Sequence, residues 1–359
     1  MTYASGNIIR KGDYNLFVSG SEDGTLSPNV PNLGILWGQG FGRYGYGQDT
    51  RFVSPVDVGD VVRAQDWDNL DAILSNVIDH QLGEGVYAGL PGNQISAGQL
   101  IAPVSTFAPN INLAYNSIGE CFANSDDVAR NTSYSGIWGN TGATTLKVTQ
   151  SLTFGTADAA RYFFNAGGKI KLSYSFTPTV NNNRGVLWSN IVGAAGTLEI
   201  GYRNTKKIGG SGPIDRYMVL NNNNGGFWAQ PTPGAQVMHF KQMSSRSGYY
   251  GYGDYGYYGN YGYYGNYGYG GYGYGYGSDL DFLKVEMSAT DSNGLNGNLG
   301  KTITVTTSFV NGSTLTPTSS DEISGLVNVG MVVSRPNASY FPAISWIPYN
   351  FIGNASAVA

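Results

Sequence analysis

Residues 248–277 read GYYGYGDYGYYGNYGYYGNYGYGGYGYGYG, and they hold about half of the chain's 27 tyrosines. Glycine leaves the backbone so permissive that no packed core can be built from such a run. Apart from Asp254, no catalytic group is evident in it. It offers a dense array of aromatic faces and phenol hydroxyls, which suits contact with another copy of itself, a carbohydrate or a cell surface. A neutral flexible linker is the alternative reading, because compositional bias alone also produces linkers.

The run has an internal register. Gly253, Gly256, Gly259, Gly262, Gly265, Gly268 and Gly271 fall at every third position, and Tyr255–Asn260 repeats as Tyr261–Asn266. Gly-x-y spacing marks chains packed in polyproline-II-like form, although proline is absent here. Extended that way the run covers about 90 Å, or about half that if folded back. Expansion of a short repeat yields the same register with no packing behind it. The contact candidates are Tyr249, Tyr252, Tyr255, Tyr257, Tyr258, Tyr261, Tyr263, Tyr264, Tyr267 and Tyr269.

What flanks the run sets its role. VMHFKQMSS precedes it and DFLKVEMSA follows, and each reads as a strand. The run is therefore an insertion in one surface loop, and a loop anchored at both ends by a sheet projects. Further strands are expected at Thr145–Phe154, Lys169–Phe176, Thr197–Tyr202, Thr302–Val310 and Val327–Ser334, separated by Gly- and Asn-rich turns. The fold class expected is mainly β: an antiparallel β-sandwich over residues 106–359 that carries the insertion 248–277.

Residues 1–105 are expected to form an extended assembly region. Residues 1–60 are rich in Gly, Pro and Asn, with no sustained period, and read as loop-like chain wrapping a neighbour. The one convincing helix is 63–82, RAQDWDNLDAILSNVIDHQL, where Trp67, Leu70, Leu74 and Val77 recur at three- and four-residue spacing. Ile73 and Ile78 widen the stripe, Val62 suits a staple, and Asp66 suits the first turn. His80 lies near the end of the helix, where a cation suits the dipole, and Gly83 is a natural stop. Loop-like flanks offer little to cover more than one apolar face. Trp67, Leu70, Leu74 and Val77 are therefore the candidate oligomerisation residues, against the alternative of packing within their own domain.

Composition narrows the partners. The net charge is only −4 and charged residues are scarce, which argues against a nucleic-acid partner. Cys121 is the single cysteine, so no intrachain disulfide forms. The opening residues lack the apolar stretch of a signal peptide, and no apolar run is long enough to span a bilayer, so synthesis in a cytoplasm without membrane insertion is expected.

Chemical motifs are weak. Gly40–Gly45 matches G-x-G-x-x-G but lacks a leading strand and a following helix. Asp291–Asn296 has Asn296 where a calcium loop requires glycine, and reads as a hairpin loop. His80 and His239 have no second His or Cys nearby for a metal, and no metal or cofactor is expected. Asp158, Asp254, Asp279, Asp281, Asp321 and Glu322 are the carboxylates available for a glycan-cleaving pair, which spacing alone does not reveal.

Two stretches carry a family likeness. The first runs from Tyr44-Gly45-Tyr46-Gly47-Gln48 through PVDVGDVV and Ala64-Gln65-Asp66-Trp67-Asp68-Asn69-Leu70 to Asp79-His80-Gln81. The second is Asp158–Gly168, DAARYFFNAGG, where Arg161 is read as fixing a carboxylate or carbonyls and Tyr162, Phe163 and Phe164 as filling the core. Together they resemble virion structural, tail-fibre-like proteins of contractile-tailed bacteriophages, including those of cyanobacteria. One departure is Arg63, where a Ser or Thr cap is expected. The resemblance implies a non-enzymatic fibre, baseplate or neck component, assembled in the host cytoplasm into the virion. It also implies contacts with other virion structural proteins and a trimer as the form of the homo-oligomer that the helix suggests; the Gly/Tyr run lies outside the resemblance, and host attachment through a surface polysaccharide is expected from its tyrosine faces. The alternatives are a virion-borne glycan hydrolase and a self-assembling filament or matrix protein.

Overall fold

The computed structural model describes residues 11–38, 45–48, 54–87, 104–118, 123–126, 129–139, 144–180, 183–202, 205–210, 218–219, 226–227, 236–244, 281–290, 300–311, 322–336 and 350–358. The elements in chain order begin with four helices, α1 (Lys11–Val18), α2 (Leu33–Trp37), α3 (Ala64–Leu82) and α4 (Val104–Asn116). Then come β1 (Ala123–Asp126), β2 (Arg130–Trp138), β3 (Thr145–Thr153), α5 (Ala157–Asn165), β4 (Lys169–Pro178), α6 (Asn183–Ala195), β5 (Thr197–Ile200) and β6 (Thr205–Ile208). The chain continues with β7 (Met218–Val219), β8 (Gln236–Ser244), β9 (Asp281–Thr290), β10 (Thr302–Val310), β11 (Ile323–Pro336) and β12 (Asn350–Val358).

The architecture is mainly β, in two antiparallel sheets. One runs β1-β11-β4-β5-β6, with β2 also paired to β11; the other runs β12-β3-β10-β9-β8-β7. Strict alternation of burial along β9 shows one face turned inward. Leu146, Val148, Leu283, Val285, Ile303 and Val305 from the second sheet join Ile170, Leu172, Val327, Val329 and Met331 from the first in one buried cluster. Gln150, on the inward face of β3, donates to Val329 O on β11 at 2.9 Å and lies 3.2 Å from Thr132 Oγ1 on β2. A buried amide of this kind is satisfied only when both sheets are in place. The helix α6 packs against strands of both sheets, and its Trp188 stacks edge-on with Trp138 at 4.8 Å.

The N-terminal residues depart from the extended region expected of them. Residues 11–18 and 33–37 are helical, and Tyr14, Phe17, Leu33, Leu36 and Trp37 are buried. The helix α1 hides behind Gly12 and Asn15, and α2 is only five residues long with Asn32 as its cap, so neither shows a sustained period. The β pattern expected from residue 106 begins later, because Val104–Asn116 is α4 with Pro109 inside it. Phe107, Ile111 and Ala114 hold the helical spacing there, and Pro109 masks it. Two further helices, α5 and α6, interrupt the strands.

Candidate contact site

The strands β8 and β9 are neighbours in the sheet, paired from Gln236↔Met287 to Ser244↔Asp281 with a shift of register between Met238 and Gln242. Opposed Cα atoms in an antiparallel pair lie about 4.5–5.5 Å apart. Ser244 and Asp281, the described residues on either side of 245–280, therefore lie side by side at one end of this strand pair. The candidate contact tyrosines, Tyr249 to Tyr269, lie outside the described residues, and what the structure supplies is the base from which they start.

That base is held by a buried polar network. Asp281, the first residue of β9, is completely buried and pairs with the Arg184 guanidinium from the first turn of α6. A second nitrogen of Arg184 donates to Asn311 Oδ1 at 2.7 Å, just past β10, and Asn311 Nδ2 donates to Gly139 O, just past β2. The network thus ties the first residue after the connection to α6 and to the ends of strands from both sheets. A desolvated carboxylate is costly without a charged, hydrogen-bonded partner, and the planar guanidinium fork supplies two such bonds at once. Among the carboxylates weighed for glycan cleavage, Asp281 is therefore structural. Neither Arg184, after a run of asparagines, nor Asn311, in a Ser/Thr-rich stretch, stands out in the sequence.

The two stretches that carry the family likeness meet in space. His80 donates from Nε2 to Ala166 O at 2.7 Å, and Asn165 Nδ2 donates to Gly45 O at 2.7 Å. Gln81 Nε2 donates to Tyr46 Oη at 2.6 Å and to Ala114 O at 2.9 Å. Gly47 has φ +65°, and a Cβ there would lie 2.2 Å from the Tyr162 ring, so only glycine fits both the conformation and the gap. Phe163 and Phe164 are fully buried, and Arg161 pairs with Asp158 one turn back at 2.6 Å. These motifs form a buried junction between the helical part and the sheets.

The oligomerisation candidates need correction. Trp67, Leu70, Leu74 and Val77 are at most 1 % exposed within the single chain. Trp67 sits among Tyr14, Phe17 and Phe107 from α1 and α4, with ring centroids 5.3–6.1 Å away. The flanks that read as loop-like supply the helices that cover this stripe. At the helix start, Asp66 accepts the Arg63 backbone N–H at 2.7 Å, which serves in place of the missing Ser or Thr cap.

His80 also differs from the cation expected at a helix end. Burial pushes it down to about 4, against the smaller opposing effect of its bond to Ala166 O, so it is neutral at pH 7. The unfolded chain protonates it near 6.5, whereas the folded chain does so only near 4. Between those values the unfolded state binds more protons, so stability present above pH 6.5 is lost as the pH falls through 4. The full loss is on the order of 3 kcal/mol. Urea unfolding at pH 7.5 and pH 4.5 is expected to show this loss in the native chain and much less of it in His80→Gln. Equal pH dependence in the two proteins would remove His80 as the cause.

No family model, curated protein or solved structure matches this chain. Among the described residues, no group of three or more His, Cys, Asp or Glu is placed to hold a metal ion. No helix among them is long and apolar enough to cross a membrane.

Proposed function

We propose that the chain is a non-enzymatic structural component of a tailed-phage virion, a fibre, baseplate or neck appendage. Its two facing sheets form a β-sandwich, and residues 248–277 project from it as a contact loop. One observation carries the reading: both ends of the Gly/Tyr connection start from a registered strand pair, with a buried ion pair at its foot. A linker between domains needs no such anchorage, whereas a display loop does. The phage context rests on the likeness of the two stretches, which now read as a scaffold junction. The partners proposed are further virion proteins and a host surface polysaccharide, on whose sugar rings tyrosine faces stack. The stripe that suggested self-association is covered within the chain, so the trimer expectation rests on the family likeness alone.

Replacing residues 249–277 by a short Gly-Ser turn tests the scaffold half of this reading. Loop-closure entropy changes by only about 0.6 kcal/mol per doubling of length, so shortening is expected to leave the melting temperature unchanged or slightly raised. A large fall in melting temperature would show that the run is part of the fold.

A further inference from the structure

The strands β9, β10 and β3 run lengthwise between two different ends of the protein. Asp281 directly precedes the row Phe282–Val310–Thr145, and the row Thr290–Thr302–Thr153 closes the far end of the same three strands. Strands of this length span about 30 Å. Just past Thr153 the chain enters α5, where Phe154 meets Phe163 at 5.3 Å. The helical part is bound at this far end, by His80 to Ala166 O and by Asn165 to Gly45 O. The first sheet agrees: β4 begins at Lys169, straight after α5, and ends at Pro178, shortly before Arg184. The foot of the Gly/Tyr connection and the seat of the helical part are therefore at opposite ends of the sheets.

Between those ends the pairing is continuous. The strand β9 pairs with β10 from Phe282↔Val310 to Thr290↔Thr302, and β10 with β3 from Thr302↔Thr153 to Val310↔Thr145, both in one register. Backbone bonds in such a ladder lie perpendicular to the strands. A pull along the strands loads all of them together, whereas a pull across them breaks one pair at a time. Hydroxyl pairs add to the grip of β3 on β10: Thr153 with Thr302 at 3.3 Å, Ser151 with Thr304 at 2.9 Å and Thr149 with Thr306 at 3.3 Å. At the foot, the Asp281–Arg184 pair ties the start of β9 to α6, and Arg184 reaches on to Asn311 just past β10.

We infer that this sheet is a tension-bearing connector. Force applied through residues 245–280 and resisted at the helical end passes along β9, β10 and β3 in shear. The strand order suits this role, because β9 is pulled from the foot, β3 is held at the far end, and β10 is gripped between them on both sides. A protein that holds a host surface at one end and a particle at the other works under such a pull. The purpose of the device rests on the proposed contact role, while its mechanics do not.

Single-molecule force spectroscopy of the full chain tests it, with Cys121→Ser leaving the introduced cysteines as the only handles. Gly155→Cys with Gly262→Cys gives the lengthwise pull; position 155 is exposed, and a Cβ there meets nothing within 4 Å. Gly248→Cys with Gly277→Cys gives a pull that peels β8 from β9. Forced unfolding reads the barrier, and the lengthwise pull is expected to need at least about two-fold more force than the peeling one. Arg184→Met with Asp281→Asn is expected to lower the lengthwise force while changing the urea midpoint little. A lengthwise force no greater than the peeling force would overturn the inference, and an unchanged lengthwise force in the double variant would overturn the part given to the ion pair. Both measurements use purified protein, so their failure is distinct from a failure of phage adsorption.

Discussion

Trp67→Ala combined with Leu74→Asp is expected to unfold the helical part of the protein. Trp67 is 1 % exposed and Leu74 fully buried, both on the inner face of α3. Removing a buried tryptophan leaves a cavity that costs about 3–5 kcal/mol. The aspartate adds a desolvated carboxylate with no partner, roughly several kcal/mol more unless it stays protonated. The sum reaches the ordinary stability of a domain, about 5–15 kcal/mol. Far-UV circular dichroism and a melting curve are the readouts, with loss of helical signal at 25 °C expected. Had this stripe been a subunit interface, the same variant would be a folded monomer with native melting behaviour, and that result would restore the oligomerisation role.

Arg184→Ala is expected to cost about 3–5 kcal/mol, because it leaves Asp281 buried beside no guanidinium. Truncating one member of a buried ion pair is far more harmful than replacing both. The double variant Arg184→Met, Asp281→Asn is therefore expected to recover most of the loss, as the charge is removed together with its partner. Urea midpoints of the three proteins give the comparison. A single-variant loss under about 1 kcal/mol would mean that the foot of the connection is not held by this pair, as would equal losses in single and double variants.

How much of this was legible beforehand depended on periodicity. The strands at Lys169–Pro178, Thr302–Val310 and Asp281–Thr290 stand close to where alternation placed them, since a half-buried sheet imposes a period of two on long segments. The stripe of α3 was equally plain. What covers that stripe was not, because α1 and α2 are short and α4 contains Pro109, so the helix looked bare and suggested a partner subunit. As sequence, α5 reads as apolar filling for the core with Arg161 holding a carboxylate or carbonyls, not as a helix. Its cap is Thr156, which accepts from Ala159 N at 2.9 Å, a local signal in plain view. The Arg184–Asp281–Asn311 network was beyond any reading of spacing, since its members lie far apart in the chain and meet only in space.

The insertion itself was read from its flanks. Two strand-like segments on either side of the run imply a loop within one sheet; β8 and β9 pair with each other, and the run itself lies outside the described residues. The contact proposed for the run rests on its chemistry: aromatic faces with hydroxyls that lose little side-chain entropy when fixed.

Adsorption of phage particles that carry Tyr257, Tyr258, Tyr263 and Tyr264 all changed to Ser tests the contact role most directly. The four changes leave the glycine register and the strand ends untouched. Particles are expected to assemble in normal number and to lose binding to host cells. Normal adsorption and infectivity in these particles would contradict a receptor-contacting loop, and failure of assembly would move the role of the tyrosines to contacts between virion subunits.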